Sequence, residues 1–422
     1  YHMNLIAEQK YQILFELFQA IRDTFKLDEI MTHLLDMIKP IVDYDAAGIF
    51  VLNQELEHGR RPLPKNIIAG MSWRGYYPQP TSDDMLTLGK GIIGHVITTA
   101  SSLVVPDVLK DARYIEGRKG TRSEIAVPIL RNDRAIGAVN LESDLLNAYD
   151  ESDLEVLHFF ADAAAIALEK AMLHRRLLEK ELLDKQLQIA RDVQMHLLPS
   201  DNPAIPGYDI AGVCIPAEEI GGDYYDFLPL SQGSLGIAVA DVSGHGIASA
   251  LTMTAFRGLL RTCTHGKLDP AKIAREINQM MPEFTGNNHF ITLVYGVLDP
   301  KNDKVTFVSC GHPPAWLIHK DGSSEFMTTN GPALGIFNKI DYLNESKQLS
   351  SGDILILYTD GVIEMDTPRV ESFGIVRLNK ILTENRDLSA ADLIKKIISH
   401  TRAFSGFQTY LDDVTLVIVK KV

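Results

Sequence analysis

Four short acidic stretches in the second half of the sequence hold the residues best suited to chemistry. They read Gly221-Gly222-Asp223-Tyr224-Tyr225-Asp226, Ala240-Asp241-Val242-Ser243-Gly244-His245-Gly246, Tyr358-Thr359-Asp360-Gly361 and Leu411-Asp412-Asp413-Val414-Thr415. Three of them adjoin apolar runs that read as buried strands, at 235–240, 354–358 and 414–419. An aspartate at the end of such a strand is held by a rigid scaffold yet faces the wet rim of the fold. Several carboxylates gathered there repel one another unless protons or cations neutralise them. Hard divalent cations prefer such oxygen ligands, so the residues point to a carboxylate-only metal centre. Taken singly each stretch is weak, because an Asp-Gly pair after a strand is commonly a turn. Asp226 reads as an exposed turn residue, and His245 as part of a glycine-rich bend. The adjacent Asp412-Asp413 pair is harder to dismiss, since like charges side by side are an unusual strand opening. Gly244 and Gly246 remove side chains where backbone must approach something closely.

The elements that must position these residues are legible from periodicity. Strands are expected at 208–214, 235–240, 291–297, 304–309, 315–319, 354–358 and 415–419, and helices at 248–261, 270–280, 374–383 and 390–404. Many strands with a few helices suggests stacked sheets flanked by helices. Upstream, apolar residues recur at helical spacing through Ile13, Leu14, Leu17, Phe18 and Ile21, then Ile30, Leu34, Leu35 and Ile38. Short strands follow at 47–52, 67–71, 103–105, 123–130 and 135–141, with a glycine-led helix at 91–99. Between Ala138 and Leu198 there is neither glycine nor proline, and Ala, Leu, Glu, Lys and Arg dominate from Leu154 on, which is strong helix composition. Leu183, Leu187, Ala190, Gln194 and Leu197 follow a 3.5-residue spacing, broken upstream by Lys180 and Arg176. The whole reads as an α+β multidomain chain: residues 1–148 as a compact α+β domain with an N-terminal helix, 149–199 as a long coiled-coil-like linker helix ended by Pro199, and 200–422 as the domain of the acidic stretches.

Composition narrows the function. Among 422 residues, 41 Lys and Arg against 55 Asp and Glu give a net charge of -14, which argues against a general nucleic-acid or anionic-membrane binder. No apolar run is long enough to span a bilayer, and no apolar signal segment opens the chain. Tyr1-His2-Met3 has the look of an expression remnant, which leaves room for natural sequence ahead of it. Cys214, Cys263 and Cys310 lie far apart with no metal-type spacing, as expected of free, mostly buried thiols in a reducing cytoplasm.

The order GGDYYD, ADVSGHG, SGDILILYTDGVIE and DDVTLVIV resembles the SpoIIE/RsbU-type branch of the PPM (type 2C) metal-dependent serine/threonine phosphatases. The likeness extends over 187–422 and takes in Leu187-Gln188-Ile189-Ala190-Arg191-Asp192-Val193-Gln194, Leu197-Leu198-Pro199 and Gly311-His312-Pro313-Pro314. It implies an α/β sandwich of two packed sheets flanked by helices, with two Mn²⁺ or Mg²⁺ ions. Asp223, Asp241, Asp360 and Asp412 would be the catalytic ligands, Asp241 bridging both ions, with the Val242 carbonyl completing one shell and Asp413 the alternative to Asp412. A hydroxide activated by the metals would attack the phosphorus of phosphoserine or phosphothreonine, without a phosphoenzyme. The arginine that eukaryotic relatives carry just ahead of the first motif is missing from Ile215-Pro216-Ala217-Glu218-Glu219-Ile220. The branch further implies a phosphorylated STAS-domain protein, an anti-anti-sigma factor, as substrate, and hence signal transduction of the stress-response kind. The rival readings are a catalytically silent phosphatase-like binding platform and a two-metal hydrolase of another phosphoester.

Residues 25–145 resemble a GAF domain through Gly91-Ile92-Ile93-Gly94-His95-Val96, Leu103-Val104-Val105-Pro106-Asp107-Val108, Ser123-Glu124-Ile125-Ala126-Val127-Pro128-Ile129 and Arg134-Ala135-Ile136-Gly137-Ala138-Val139-Asn140-Leu141. The motifs name the fold and not the ligand, a small molecule or protein signal. No cysteine is present to attach a bilin, His58 and His95 read as structural rather than haem ligands, and Trp73, Tyr76 and Tyr77 read as packing residues before pocket residues. Sensor, helix, phosphatase is an order that suggests a parallel homodimer transmitting a rotation or register change through the helix pair.

Overall fold

The computed structural model describes residues 15, 16, 19, 22, 24–52, 67–76, 86–285, 289–329, 331–364, 372–406 and 410–422. Most of the helix expected ahead of residue 24, together with His58 and Tyr77, lies outside the described residues. Contacts divide the chain into two units, 1–182 and 183–422.

The first unit is built on an antiparallel sheet in the order β3-β2-β1-β6-β5-β4. Its strands are β1 (Ala46–Leu52), β2 (Ile67–Arg74), β3 (Leu86–Thr87), β4 (Leu103–Val105), β5 (Ser123–Arg131) and β6 (Arg134–Ser143). Helix α1 (Leu27–Ile38) turns Ile30, Met31, Leu34, Leu35 and Ile38 into a core with Ile49, Val51, Ile125, Val127, Val139 and Leu141 of the sheet. The opposite sheet face, with Phe50, Ala126 and Ala138, is covered by α2 (Gly91–Thr99) through Ile92, Ile93, Val96 and Ile97. The glycines of this helix have separate reasons. Gly91 adopts a φ of +70°, and a Cβ on Gly94 would lie 2.6 Å from the Thr87 carbonyl oxygen.

Helix α3 (Glu151–Met195) spans 45 residues. It starts at a reciprocal cap, in which the Asp150 carboxylate accepts from the Ser152 and Asp153 N–H groups and the Asp153 carboxylate from that of Asp150. Leu157, Phe160, Ala164, Ala167 and Leu168 belong to the core of the first unit. The contact division falls at Leu182, inside the helix. The early turns of the helix therefore complete the first core.

The second unit holds two five-stranded antiparallel sheets, β14-β11-β10-β9-β8 and β13-β12-β15-β16-β7. The first comprises β8 (Tyr224–Pro229), β9 (Leu235–Val242), β10 (Ile291–Asp299), β11 (Lys304–Cys310) and β14 (Glu345–Gln348). The second comprises β7 (Tyr208–Ile215), β12 (Ala315–Ile318), β13 (Ser324–Met327), β15 (Ile354–Tyr358) and β16 (Val414–Lys421). Alternation along β15 and β16 shows how they stack. Leu355, Leu357, Val417 and Val419 face the core shared with the first sheet. Ile354, Ile356, Leu416 and Ile418 face outward, onto α6 (Gly374–Glu384) and α7 (Ala390–Ser405). Helices α4 (Ile247–Cys263) and α5 (Pro270–Thr285) cover the first sheet with Met253, Phe256, Leu260, Ile273 and Ile277. The result is a helix, sheet, sheet, helix sandwich, and all three cysteines are free and buried within it.

Asp226 corrects the sequence reading. It is not an exposed turn residue but fully buried on β8, where Arg261 of α4 donates to both its carboxylate oxygens at 2.8 Å. The Tyr224 hydroxyl and the Phe227 N–H also donate to it. The pair fastens α4 to the sheet, and loss of Arg261, itself 44% exposed, would leave the buried Asp226 carboxylate without its cation. Arg261→Ala is therefore expected to lower unfolding free energy by about 3 kcal/mol, read from the urea midpoint, while Arg261→Lys loses less.

Candidate metal centre

Strand pairing brings the acidic stretches to one end of the sandwich. Tyr224 lies opposite Ala240, so Asp223 and Asp241 emerge at the same end of the first sheet. In the second sheet Tyr358 lies opposite Leu416, and the Thr359 N–H donates to the Thr415 carbonyl. Asp360 and the pair Asp412-Asp413 therefore flank the same end of that sheet. A direct bond joins the sheets there, since the Thr359 hydroxyl donates to Asp223 Oδ2 at 2.7 Å.

Asp412 and Asp413 differ sharply in what they touch. Asp413 accepts from the N–H groups of Ala217 at 2.8 Å, Gly222 at 2.8 Å and Asp223 at 3.2 Å, using both carboxylate oxygens. Asp412 accepts only from the N–H of Asp413 and is exposed. Glycine is needed around this tether. A Cβ on Gly221 would stand 2.2 Å from Asp413 Oδ2, and one on Gly361 2.0 Å from the Asp413 carbonyl oxygen.

Two residues without a role assigned from sequence complete the frame. Gln194, in the last turn of α3, is buried. Its amide donates to the Gly221 carbonyl at 2.7 Å and accepts from the Gly221 N–H at 3.1 Å. It reads as a seam position by spacing alone; the signal that separates it is a polar residue among apolar ones. His312, from Gly311-His312-Pro313-Pro314, is buried between the sheets. Its Nε2–H donates to the Tyr358 carbonyl at 3.1 Å, which leaves Nδ1 to accept from the Thr292 hydroxyl at 2.7 Å. Thr292 pairs with Asp241. His312 is thus a neutral strut beneath the carboxylates, and burial pushes its pKa down to about 3. His245, by contrast, is exposed.

The carboxylates load one another. Burial, then Asp241 and Asp413, push Asp223 well above the usual carboxylate range. Burial, then Asp360, Asp412 and Asp413, push Asp241 up to about 7. Asp412 is raised by partial desolvation, with Asp360 and Asp413 adding to it. Among the described residues no three His, Cys, Asp or Glu side chains converge as closely as a filled cage requires. Asp223 leans on Thr359, and Asp412 on the N–H beside it. The donor set nevertheless fits hard divalent cations: it is all oxygen and overcharged. The Val242 carbonyl is also within reach of this loop because residue 222 is glycine; a Cβ there would sit 2.8 Å from that oxygen.

Both units resemble known proteins. The family described as stage II sporulation protein E (SpoIIE) matches residues 231–422, and the GAF domain family matches residues 26–168. The chain is a GAF domain followed by a SpoIIE-type PPM phosphatase domain. It is 29% identical over 242 residues to the phosphoserine phosphatase RsbU of Bacillus subtilis, covering 57% of this chain and 71% of RsbU. To the phosphoserine phosphatase RsbP of the same organism it is 28% identical over 244 residues, covering 56% of this chain and 57% of RsbP. The SiaA-PP2C domain of Pseudomonas aeruginosa shares the fold at a TM-score of 0.51 and 19% identity, over 57% of this chain and 98% of that one. The C-terminal unit is thus a metal-dependent serine/threonine phosphatase domain of the PPM class. No helix among the described residues is long and apolar enough to cross a membrane.

The depressed pKa of His312 has a signed consequence. The unfolded chain binds the proton near pH 6.5 and the folded one only near 3. This residue's share of stability is therefore full above pH 6.5 and is lost as pH falls towards 3. In urea titrations, His312→Asn is expected to show a shallower loss of stability across that window than the unsubstituted chain.

Proposed function

We propose that the chain is a phosphoprotein phosphatase that hydrolyses phosphoserine or phosphothreonine at a two-cation site held by Asp223, Asp241, Asp360 and Asp412, under the control of its GAF domain. What supports the reading is that the strand ends bearing these four carboxylates lie at one end of the sandwich, where the Thr359 hydroxyl donates to Asp223. Asp412 is the better ligand of the terminal pair, because both oxygens of Asp413 are committed to backbone N–H groups. Asp241, pressed by Asp360 and Asp412, is the natural bridge between two ions, and the Val242 carbonyl supplies a neutral donor. Bound Mn²⁺ or Mg²⁺ would supply a hydroxide near neutral pH and offset charge on the phosphoryl oxygens.

The remaining work falls to the chain. Thr359 orients Asp223 by its hydrogen bond. Asp413 and Gln194 fix the Gly221–Asp223 backbone from two sides, so that Asp223 and Val242 are presented together. With no arginine between Ile215 and Ile220, the substrate phosphate is held by the cations and backbone. The phosphorylated STAS-domain protein remains the substrate proposed, in keeping with the family likeness. A parallel homodimer is part of the proposal; Leu178, Leu182, Ile189 and Val193 lie exposed along one face of α3, which a second helix could cover. This stripe differs from the Leu183-based seam, which loses Gln194 to the phosphatase unit.

Asp241→Asn is expected to abolish Mn²⁺-dependent hydrolysis of a generic aryl phosphate and of phosphorylated STAS protein while circular dichroism stays unchanged. Chelation should do the same to the unsubstituted chain. Retained turnover, or phosphate released faster from nucleotides than from phosphoprotein, would remove the assignment. Gln194→Leu keeps the ligands but frees Gly221. It should raise the Mn²⁺ concentration for half-maximal rate several-fold, and an unchanged metal curve would show the clamp to be idle.

A further inference from the structure

Large apolar side chains stand exposed at one corner of the end that carries the carboxylates. Phe290, just ahead of β10, is 41% exposed, and Ile336 and Phe337, which follow the bridge from Leu334 to that strand, are 48% and 56% exposed. Exposed apolar residues scattered singly are ordinary, but these three are held together by their backbone. Ile291 and Leu334 exchange both N–H to carbonyl bonds, and a Cβ on Gly335 would lie 3.4 Å from the His289 carbonyl oxygen. The corner borders the candidate metal centre. The Phe290 N–H donates to the Ser243 hydroxyl at 2.9 Å, and its carbonyl accepts from the Ser243 N–H at 3.0 Å. Ser243 directly follows Asp241 and Val242, and Thr292, two residues beyond Phe290, lies opposite Asp241.

The display is fixed from below. Asn278 of α5 is buried and grips the backbone on either side of Ile336. Its amide oxygen accepts from the Gly335 N–H at 2.9 Å, and its amide nitrogen donates to the Phe337 carbonyl at 2.8 Å. A buried amide thus holds a short ridge of apolar side chains out in water. Beside the ridge a cleft of about 280 Å³ opens between α5 and the loop, lined among others by Arg275, Asn278, Lys339 and Asp341. Arg275 pairs with Asp341. Lys339 is exposed and makes no ion pair among the described residues. An apolar ridge therefore stands next to an open cation, in a chain whose net charge is -14.

We propose that Phe290, Ile336, Phe337 and Lys339 form the surface on which a folded phosphoprotein substrate docks. Its apolar patch covers the ridge and an acidic side chain meets Lys339, while its phosphorylated residue reaches the carboxylates. Size favours a substrate over a second copy of the chain. Three half-exposed side chains of this kind offer on the order of 300 Å², against about 800 Å² per partner in a stable complex. A contact that must release its product needs the smaller figure. Position favours it as well, because a protein that delivers a phosphoserine or phosphothreonine to Asp241 must cover the loop at Ser243, to which Phe290 is bonded. The fixed backbone lowers the ordering cost of binding, and Lys339 complements an acidic face. The inference rests on the phosphoprotein reading and names the surface that selects that substrate.

The test compares Mn²⁺-dependent hydrolysis of a phosphorylated STAS-domain protein and of p-nitrophenyl phosphate. The full chain is set against a variant carrying both Ile336→Ser and Phe337→Ser, and against Lys339→Glu. On the phosphoprotein, kcat/KM is expected to fall roughly tenfold or more in the double variant and roughly threefold in Lys339→Glu, mostly through KM. On the aryl phosphate, which is too small to span ridge and metal site, kcat/KM should stay within about twofold in both. Leu343→Ser removes an equally exposed apolar side chain near the start of α5 and should change neither substrate. Unaltered phosphoprotein turnover in the variants overturns the docking surface. Equal loss on both substrates also overturns it, because the side chains then serve the fold. A dimer that sediments as monomer only in the double variant would place a second copy there and overturn it too. An unsubstituted chain that hydrolyses the aryl phosphate but not the phosphoprotein removes the phosphoprotein reading, and this surface with it, before any variant is compared.

Discussion

The phosphatase domain depends on one carboxylate whose two oxygens are held by backbone N–H groups. Asp413 ties the backbone of Ala217, Gly222 and Asp223 to the start of β16, and so ties the entry of one sheet to the other. Burial first, and then the neighbouring carboxylates including Asp413, disfavour ionisation of Asp223 and Asp241. The centre is therefore strained by design of the backbone, not by chance proximity. A carboxylate cluster assembled on rigid strand ends cannot relax by moving apart, which leaves neutralisation as the way to lower its energy.

The same physics explains what the sequence made legible. Buried strands with uninterrupted apolar runs, such as β9, β15 and β16, were readable to within a residue or two because nothing but burial determines them. β8 was not expected, since Tyr224-Tyr225-Asp226-Phe227 carries a charge at an inward position that only Arg261, thirty-five residues away, makes tolerable. The short edge strands β13 and β14 take their structure from neighbours, not from their own pattern. At the site, residue types and order announced the carboxylates. The tether made by Asp413 was hidden, because it rests on backbone N–H groups that lie some two hundred residues earlier in sequence. Gln194 and His312 were visible as motif members but mute as to role; both act through backbone groups.

The two units use buried acid in opposite ways. In the phosphatase domain Asp223, Asp241, Asp360 and Asp412 gather at strand ends. In the GAF domain Glu124 and Glu142 sit mid-face, quieted by hydroxyls and a proton. The linking helix belongs to both: its early turns fill the GAF core, and its last turn holds Gly221. No glycine or proline softens it in between.

The strand order carries a consequence for biosynthesis. β7 is the first strand of the phosphatase unit to be made, yet its neighbour in the sheet is β16, which pairs with it over eight residues. Between them the ribosome must supply about two hundred residues, so β7 waits with an open edge while the first sheet closes. Asp412 and Asp413 arrive with that same late strand. Any chain released early is thus left with an unpaired strand and half a charge cluster. Non-local pairing of this kind is slow, so the sheet end that carries Asp412 and Asp413 is the last to be assembled.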